Sequence, residues 1–86
     1  MATRTFKLTV TDKVQQLCGA DPKRKCIRTH TTSGTYYILS AQNMKYTDGY
    51  IVNDAYPYIN RDCKERLWIV AETGLTVDVR VQIDSE

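Results

Sequence analysis

With 86 residues, the chain holds one domain and not two, because a smaller core does not offset the entropy of ordering the backbone. Its composition, 42% hydrophobic and 26% charged with 2 prolines, 4 glycines and a formal charge of +2, sets aside disorder and collagen-like repeats and lacks the broad basic excess of a dedicated nucleic-acid binder. The longest apolar run, Leu67-Trp68-Ile69-Val70-Ala71, falls far short of the roughly 20 residues of a membrane helix. Met1-Ala2-Thr3-Arg4-Thr5 carries no apolar stretch of a secretory signal, so the expectation is a chain folded in a cytosol, away from membranes.

Two-residue alternation dominates from the start. Phe6, Leu8 and Val10 interleave with Thr5, Lys7 and Thr9, which predicts a strand over 3–10 with one face inward. A second strand is expected over 13–18, and Ala20-Asp21-Pro22 then marks a loop. Strands over 24–32 and 35–40 flank a tight turn at Ser33-Gly34, and 49–53 follows the turn at Asp48-Gly49. Towards the carboxyl end, 66–71 is expected to join 74–83 as a hairpin through Glu72-Thr73-Gly74, with Leu75, Val77, Val79, Val81 and Ile83 pointing inward. The fold class is therefore all-β: a single small antiparallel β-sandwich or barrel of about seven strands over 1–86, with no linker.

The stretch 41–64 is the least regular. It carries Tyr46, Tyr50, Tyr56 and Tyr58, and Pro57 removes a backbone donor, so it reads as a long excursion enclosing one short strand. Long excursions on compact domains are usually binding surfaces.

Catalytic chemistry finds little support in the residues. The one histidine, His30, sits in Arg28-Thr29-His30-Thr31-Thr32 without a nucleophile elbow. Asp48, Asp54, Asp62, Glu65 and Glu72 form no specific pair, and each of the 4 glycines stands alone, so no phosphate-cradling loop is expected. The three cysteines, Cys18, Cys26 and Cys63, cannot all pair and read as small buried hydrophobes. Cys26 and His30 share a strand face but stand roughly 13 Å apart, too far for one metal ion. No metal and no cofactor is expected.

Two features point to partners. Pro22-Lys23-Arg24-Lys25-Cys26-Ile27-Arg28 gathers four cations, suited to an acidic protein surface or, with Tyr36 or Tyr37 exposed for stacking, to single-stranded nucleic acid. Six tyrosines against one phenylalanine make the aromatic content amphipathic, as at interfaces. Tyr56 and Tyr58, on either side of Pro57, would share a side of an extended segment. Trp68 is out of phase with Leu67 and Ile69, so either it points away from the core or a second covered face exists; with the tyrosines, it also admits a lectin-like sugar module.

The order Phe6-Lys7-Leu8-Thr9-Val10, Val14-Gln15-Gln16-Leu17, Arg24-Lys25-Cys26-Ile27-Arg28, Ser33-Gly34, Thr35-Tyr36-Tyr37-Ile38, Gly49-Tyr50-Ile51 and Arg66-Leu67-Trp68-Ile69-Val70-Ala71, with a closing valine-alternating strand, resembles the small β-sandwich accessory proteins of tailed-phage virions. These include capsid decoration or cement proteins and the bases of head fibres. Arg28-Thr29-His30-Thr31 and the cysteines depart from that pattern, which leaves capsid, neck and fibre open as locations. The resemblance implies a non-enzymatic structural protein of the virion that docks on the major capsid protein or other virion proteins, stabilises or decorates the capsid, and forms a homo-oligomer. The expected contact residues are Tyr46, Tyr50, Tyr56 and Tyr58 with the basic group Lys23, Arg24 and Lys25. The alternative is a small β-barrel nucleic-acid-binding protein.

Overall fold

The alternating segments do form strands, with Val10, Val77, Val79, Val81 and Ile83 buried and Phe6 and Leu8 packed partly buried against them. The computed structural model describes residues 2–86 and contains β1 (Ala2–Val10), β2 (Gln15–Cys18), β3 (Arg24–His30), β4 (Thr35–Leu39), β5 (Tyr50–Asn53), β6 (Tyr58–Arg61), β7 (Leu67–Ala71) and β8 (Val77–Ser85), with a single 3₁₀ turn over Tyr46–Asp48. They make two antiparallel four-stranded sheets, sheet A in the order β1-β8-β3-β6 and sheet B in the order β2-β7-β4-β5. This strand order is that of a jelly roll, two Greek keys folded face to face.

The main core lies between the sheets. Val77, Val79, Val81 and Ile83 of β8 and Ile27 of β3 meet Leu17, Tyr36, Ile38, Val52, Leu67, Ile69 and Ala71 from sheet B, as the period of two dictates. One hydroxyl pair is buried within it: Thr29 Oγ1 and Tyr36 Oη lie 2.6 Å apart, so neither polar group is left unpaired.

The expected hairpin between 66–71 and 74–83 does not form. β7 pairs with β2 and β4, whereas β8 pairs with β1 and β3. Leu67, Ile69 and Ala71 of β7 and Val77, Val79, Val81 and Ile83 of β8 instead meet across the core from opposite sheets. Residues 72–76 make the crossing through a turn closed by Leu75 N–H to the Glu72 carbonyl, 3.0 Å, with Gly74 at φ +81°, a conformation glycine adopts without strain. The last strand accordingly begins at Val77, and Leu75 is exposed.

The sequence pattern also missed β6, which pairs with β3 from Cys26↔Arg61 to Thr29↔Tyr58. Pro57 sits just before it and takes nothing from the ladder. There are thus eight strands rather than about seven.

Residues 41–49 fold over the outer face of sheet B. Tyr37, Leu39 and Val70 are buried there beneath Val14, Met44, Tyr46 and Trp68, and the rings of Tyr37 and Tyr46 meet edge-on with centroids 5.1 Å apart. Trp68 thus belongs to a second cluster roofed by the chain itself. Gly49 lets that roof approach: a Cβ there would meet Leu39 Cδ2 and stand 2.9 Å from the Ile38 carbonyl oxygen.

Candidate functional site

β5 and β6 are the edge strands of sheets B and A, joined by the short loop 54–57 on one side of the sandwich. In register, Tyr50 faces the core side with Ile38, and Tyr58 faces it with Thr29. Their rings meet across the gap between the sheets with centroids 5.3 Å apart. Tyr58 is half-buried, its hydroxyl accepts a hydrogen bond from Asn60 Nδ2 at 2.8 Å, and burial pushes its phenol up from the ordinary value. Tyr50 is 65% exposed.

Ile51 pairs with Tyr37 and so faces outward on sheet B, while Ile59 pairs with Arg28 and faces outward on sheet A. They are 58% and 46% exposed, and Tyr56 in the loop between them is 78% exposed. The result is an apolar and aromatic band that wraps around one edge of the sandwich. Four of the five large exposed hydrophobic residues among those described, Tyr50, Ile51, Tyr56 and Ile59, lie in it.

The expected contact residues divide accordingly. Tyr50, Tyr56 and Tyr58 come together at this edge, although Tyr56 and Tyr58 do not share a side, because Tyr56 stands free and Tyr58 turns inward. Tyr46 lies elsewhere, packed on Tyr37 as part of the roof over sheet B. Ile51 and Ile59 were missed, although the signal was present: in Tyr50-Ile51-Val52 and Tyr58-Ile59-Asn60, a pleated strand must turn one apolar side chain outward.

The basic group also divides. Lys23 and Lys25 are exposed at the start of β3, and Lys25 Nζ pairs with Glu86 at 2.8 Å, which raises the lysine above its ordinary value. Arg24 is a correction: it is 1% exposed and cannot serve as a surface contact. Its guanidinium donates to the carbonyls of Cys63 (2.8 Å), Gly19 (2.9 Å) and Glu65, and to Cys18 Sγ (3.0 Å). A register shift against β8 between Arg24 and Cys26 accompanies this placement. Among the described residues no carboxylate pairs with it; backbone oxygens of two loops take its donors, so Arg24 ties 19 and 63–65 to the end of β3. Burial raises the Cys18 thiol, and the Arg24 charge beside it works the other way.

Tyr36 and Tyr37, the rings assigned to base stacking, are buried, the first paired with Thr29 and the second donating to Glu72 Oε1 at 2.9 Å. Trp68, the ring on which the sugar reading leaned, is partly buried against Tyr37, Leu39 and Val70. Among the described residues, no helix is long and apolar enough to cross a membrane. Comparison with family models, curated proteins and solved structures yields no match.

Proposed function

We propose that the chain is a non-enzymatic structural protein of a virion, which docks on the major capsid protein or a neighbouring virion protein through the β5–β6 edge and there stabilises or decorates the shell. The observation that carries this reading is the gathering of Tyr50, Ile51, Tyr56 and Ile59 at one edge. Large aromatic and aliphatic side chains on a rim of edge strands, each open on one side, are what a docking module supplies, since burying them removes apolar area from water and covers the open ladder. The jelly-roll strand order, used in viral capsid and lectin domains, and the resemblance to small virion accessory proteins support it by analogy. Attachment in many copies, or as a homo-oligomer, adds avidity to a modest contact per chain.

The test is cosedimentation with virions assembled in cells that produce the chain. Wild-type protein is expected in the particle fraction, and a variant carrying Tyr50→Ser and Ile59→Ser in the supernatant. Wild-type protein that stays an inert monomer outside every particle would contradict the proposal. The alternative nucleic-acid reading loses the two rings on which it drew, Tyr36 and Tyr37, to the interior.

A further inference from the structure

Beyond the β6 edge with its Ile59, the outer face of sheet A carries a charge arrangement across β1, β8 and β3 that the fold does not explain. β1, β8 and β3 are adjacent there, and the register sets Lys7 opposite Arg80 and Arg80 opposite His30. All three side chains are exposed. They form one row across three strands, spanning about 10 Å at 4.8 Å per strand. Directly opposed like charges work against a sheet, and here two cations and a histidine are in line.

Among the described residues, no carboxylate is paired with the row. The ion pairs among the described residues are Lys25–Glu86 and Arg28–Asp84, and neither involves Lys7 or Arg80. On the same face, Asp84 is occupied one side of the row by Arg28 (2.8 Å), Thr3 (3.1 Å) and Gln82 (3.3 Å). On the other side Asp78 takes only the long Thr9 hydroxyl contact of 3.5 Å. The row lies in a concavity of about 540 Å³, which Arg28, Gln82 and Thr5 also line and which no acidic side chain lines. That volume is in the range of small-ligand sites.

We propose that this groove is an oxyanion site for phosphate-bearing ligands, with Arg80 at its centre and Lys7 and His30 on either side. Arginine matches phosphate oxygens with a planar fork of donors and lysine supplies a point charge, while Gln82 and Thr5 add neutral donors from the neighbouring row. The absence of acidic lining and the small, concave shape favour a compact phosphate group over an acidic protein surface, which needs a larger and flatter contact. Phosphate of a small ester and phosphate of a nucleic-acid strand share this chemistry.

Titration calorimetry with sodium pyrophosphate at low salt tests the site, with a fluorescein-labelled single-stranded 12-mer in a parallel anisotropy arm. Pyrophosphate is expected to bind wild type, and Arg80→Gln to weaken it about tenfold or more, the loss of one charged hydrogen-bonding group. Lys23→Gln, away from the groove, should bind as wild type does. At one pyrophosphate concentration, the melting temperature of wild type should rise further than that of Arg80→Gln. That variant relieves a like-charge contact and is expected to melt no lower than wild type; Lys7→Gln gives the same comparison from a second position. A labelled strand that binds wild type and is displaced by pyrophosphate identifies nucleic acid as a source of the phosphate, and a strand that does not bind identifies the small ester. Equal pyrophosphate affinity in wild type, Arg80→Gln and Lys7→Gln would overturn the proposal, as would poly-L-glutamate binding more tightly than either phosphate probe.

Discussion

Replacing Arg24 by methionine separates a structural arginine from a contact residue. The substitution keeps an apolar stem in place and removes the guanidinium, leaving the carbonyls of Gly19, Cys63 and Glu65 without their donor. An orphaned buried acceptor costs about 1–3 kcal/mol. These three lie where two loops meet a strand end and water can reach them after a small shift, so the lower end applies. Release from desolvating the guanidinium returns a part, which leaves a net loss of about 2–3 kcal/mol. For a domain of this size that lowers the melting temperature by about 10–20 °C. Arg24→Lys retains the charge without the fork and should lose about half as much. Urea unfolding followed by the fluorescence of Trp68, the one tryptophan, should show a lower midpoint with an unchanged slope. An unfolding free energy within about 0.5 kcal/mol of wild type would refute the assignment. So would a variant of unchanged stability that no longer binds particles, because it would return Arg24 to the surface group.

Three further outcomes follow from the same packing. Tyr36→Phe and Thr29→Val should each cost about 1–3 kcal/mol by stranding one hydroxyl of the buried pair, and the double variant should cost less than their sum; strict additivity in denaturant melts would contradict the pairing. Gly49→Ala should lose about 1–3 kcal/mol through overpacking against Leu39 and the Ile38 carbonyl, and a melting temperature equal to wild type would show that the 41–49 roof is not seated there. The Asp84 carboxyl is held below its ordinary value by the hydrogen bond from Gln82, with Thr3 and Arg28 adding to it. A native value below the unfolded one means that this stabilisation is complete above the ordinary carboxylate range and is lost as pH falls through the depressed value. Asp84→Asn should therefore flatten the acid limb of stability against pH, and an identical limb in both proteins would rule the contribution out.

The two-layer β architecture was legible because alternation survives wherever one face is buried: Phe6, Leu8 and Val10, or Val77 through Ile83, can face only one way. The connections were not legible. Glu72-Thr73-Gly74 has the residues of a hairpin turn, but turn chemistry is local, and whether two apolar faces share a sheet or oppose each other is decided by the whole core. β6 escaped because an edge strand of four residues need not alternate strongly, and Pro57 beside it argued for a loop. At the candidate site, tyrosine content drew attention to 41–64 as a region, yet could not separate Tyr50 and Tyr56, which project, from Tyr46 and Tyr58, which pack. Arg24 was misplaced because a run of cations reads as solvated, and nothing in the one-dimensional pattern places the backbone carbonyls of Gly19, Cys63 and Glu65 around one guanidinium.

Amide hydrogen exchange of the protein, free and bound to particles, tests the docking edge most directly, because edge-strand amides without ladder partners exchange readily until something covers them. The account predicts that binding slows exchange across Tyr50–Asn53, 54–57 and Tyr58–Arg61 while β1 on the opposite side is unchanged. Protection confined to β1 or to the roof at 41–49, with β5 and β6 exchanging as in the free chain, would contradict it.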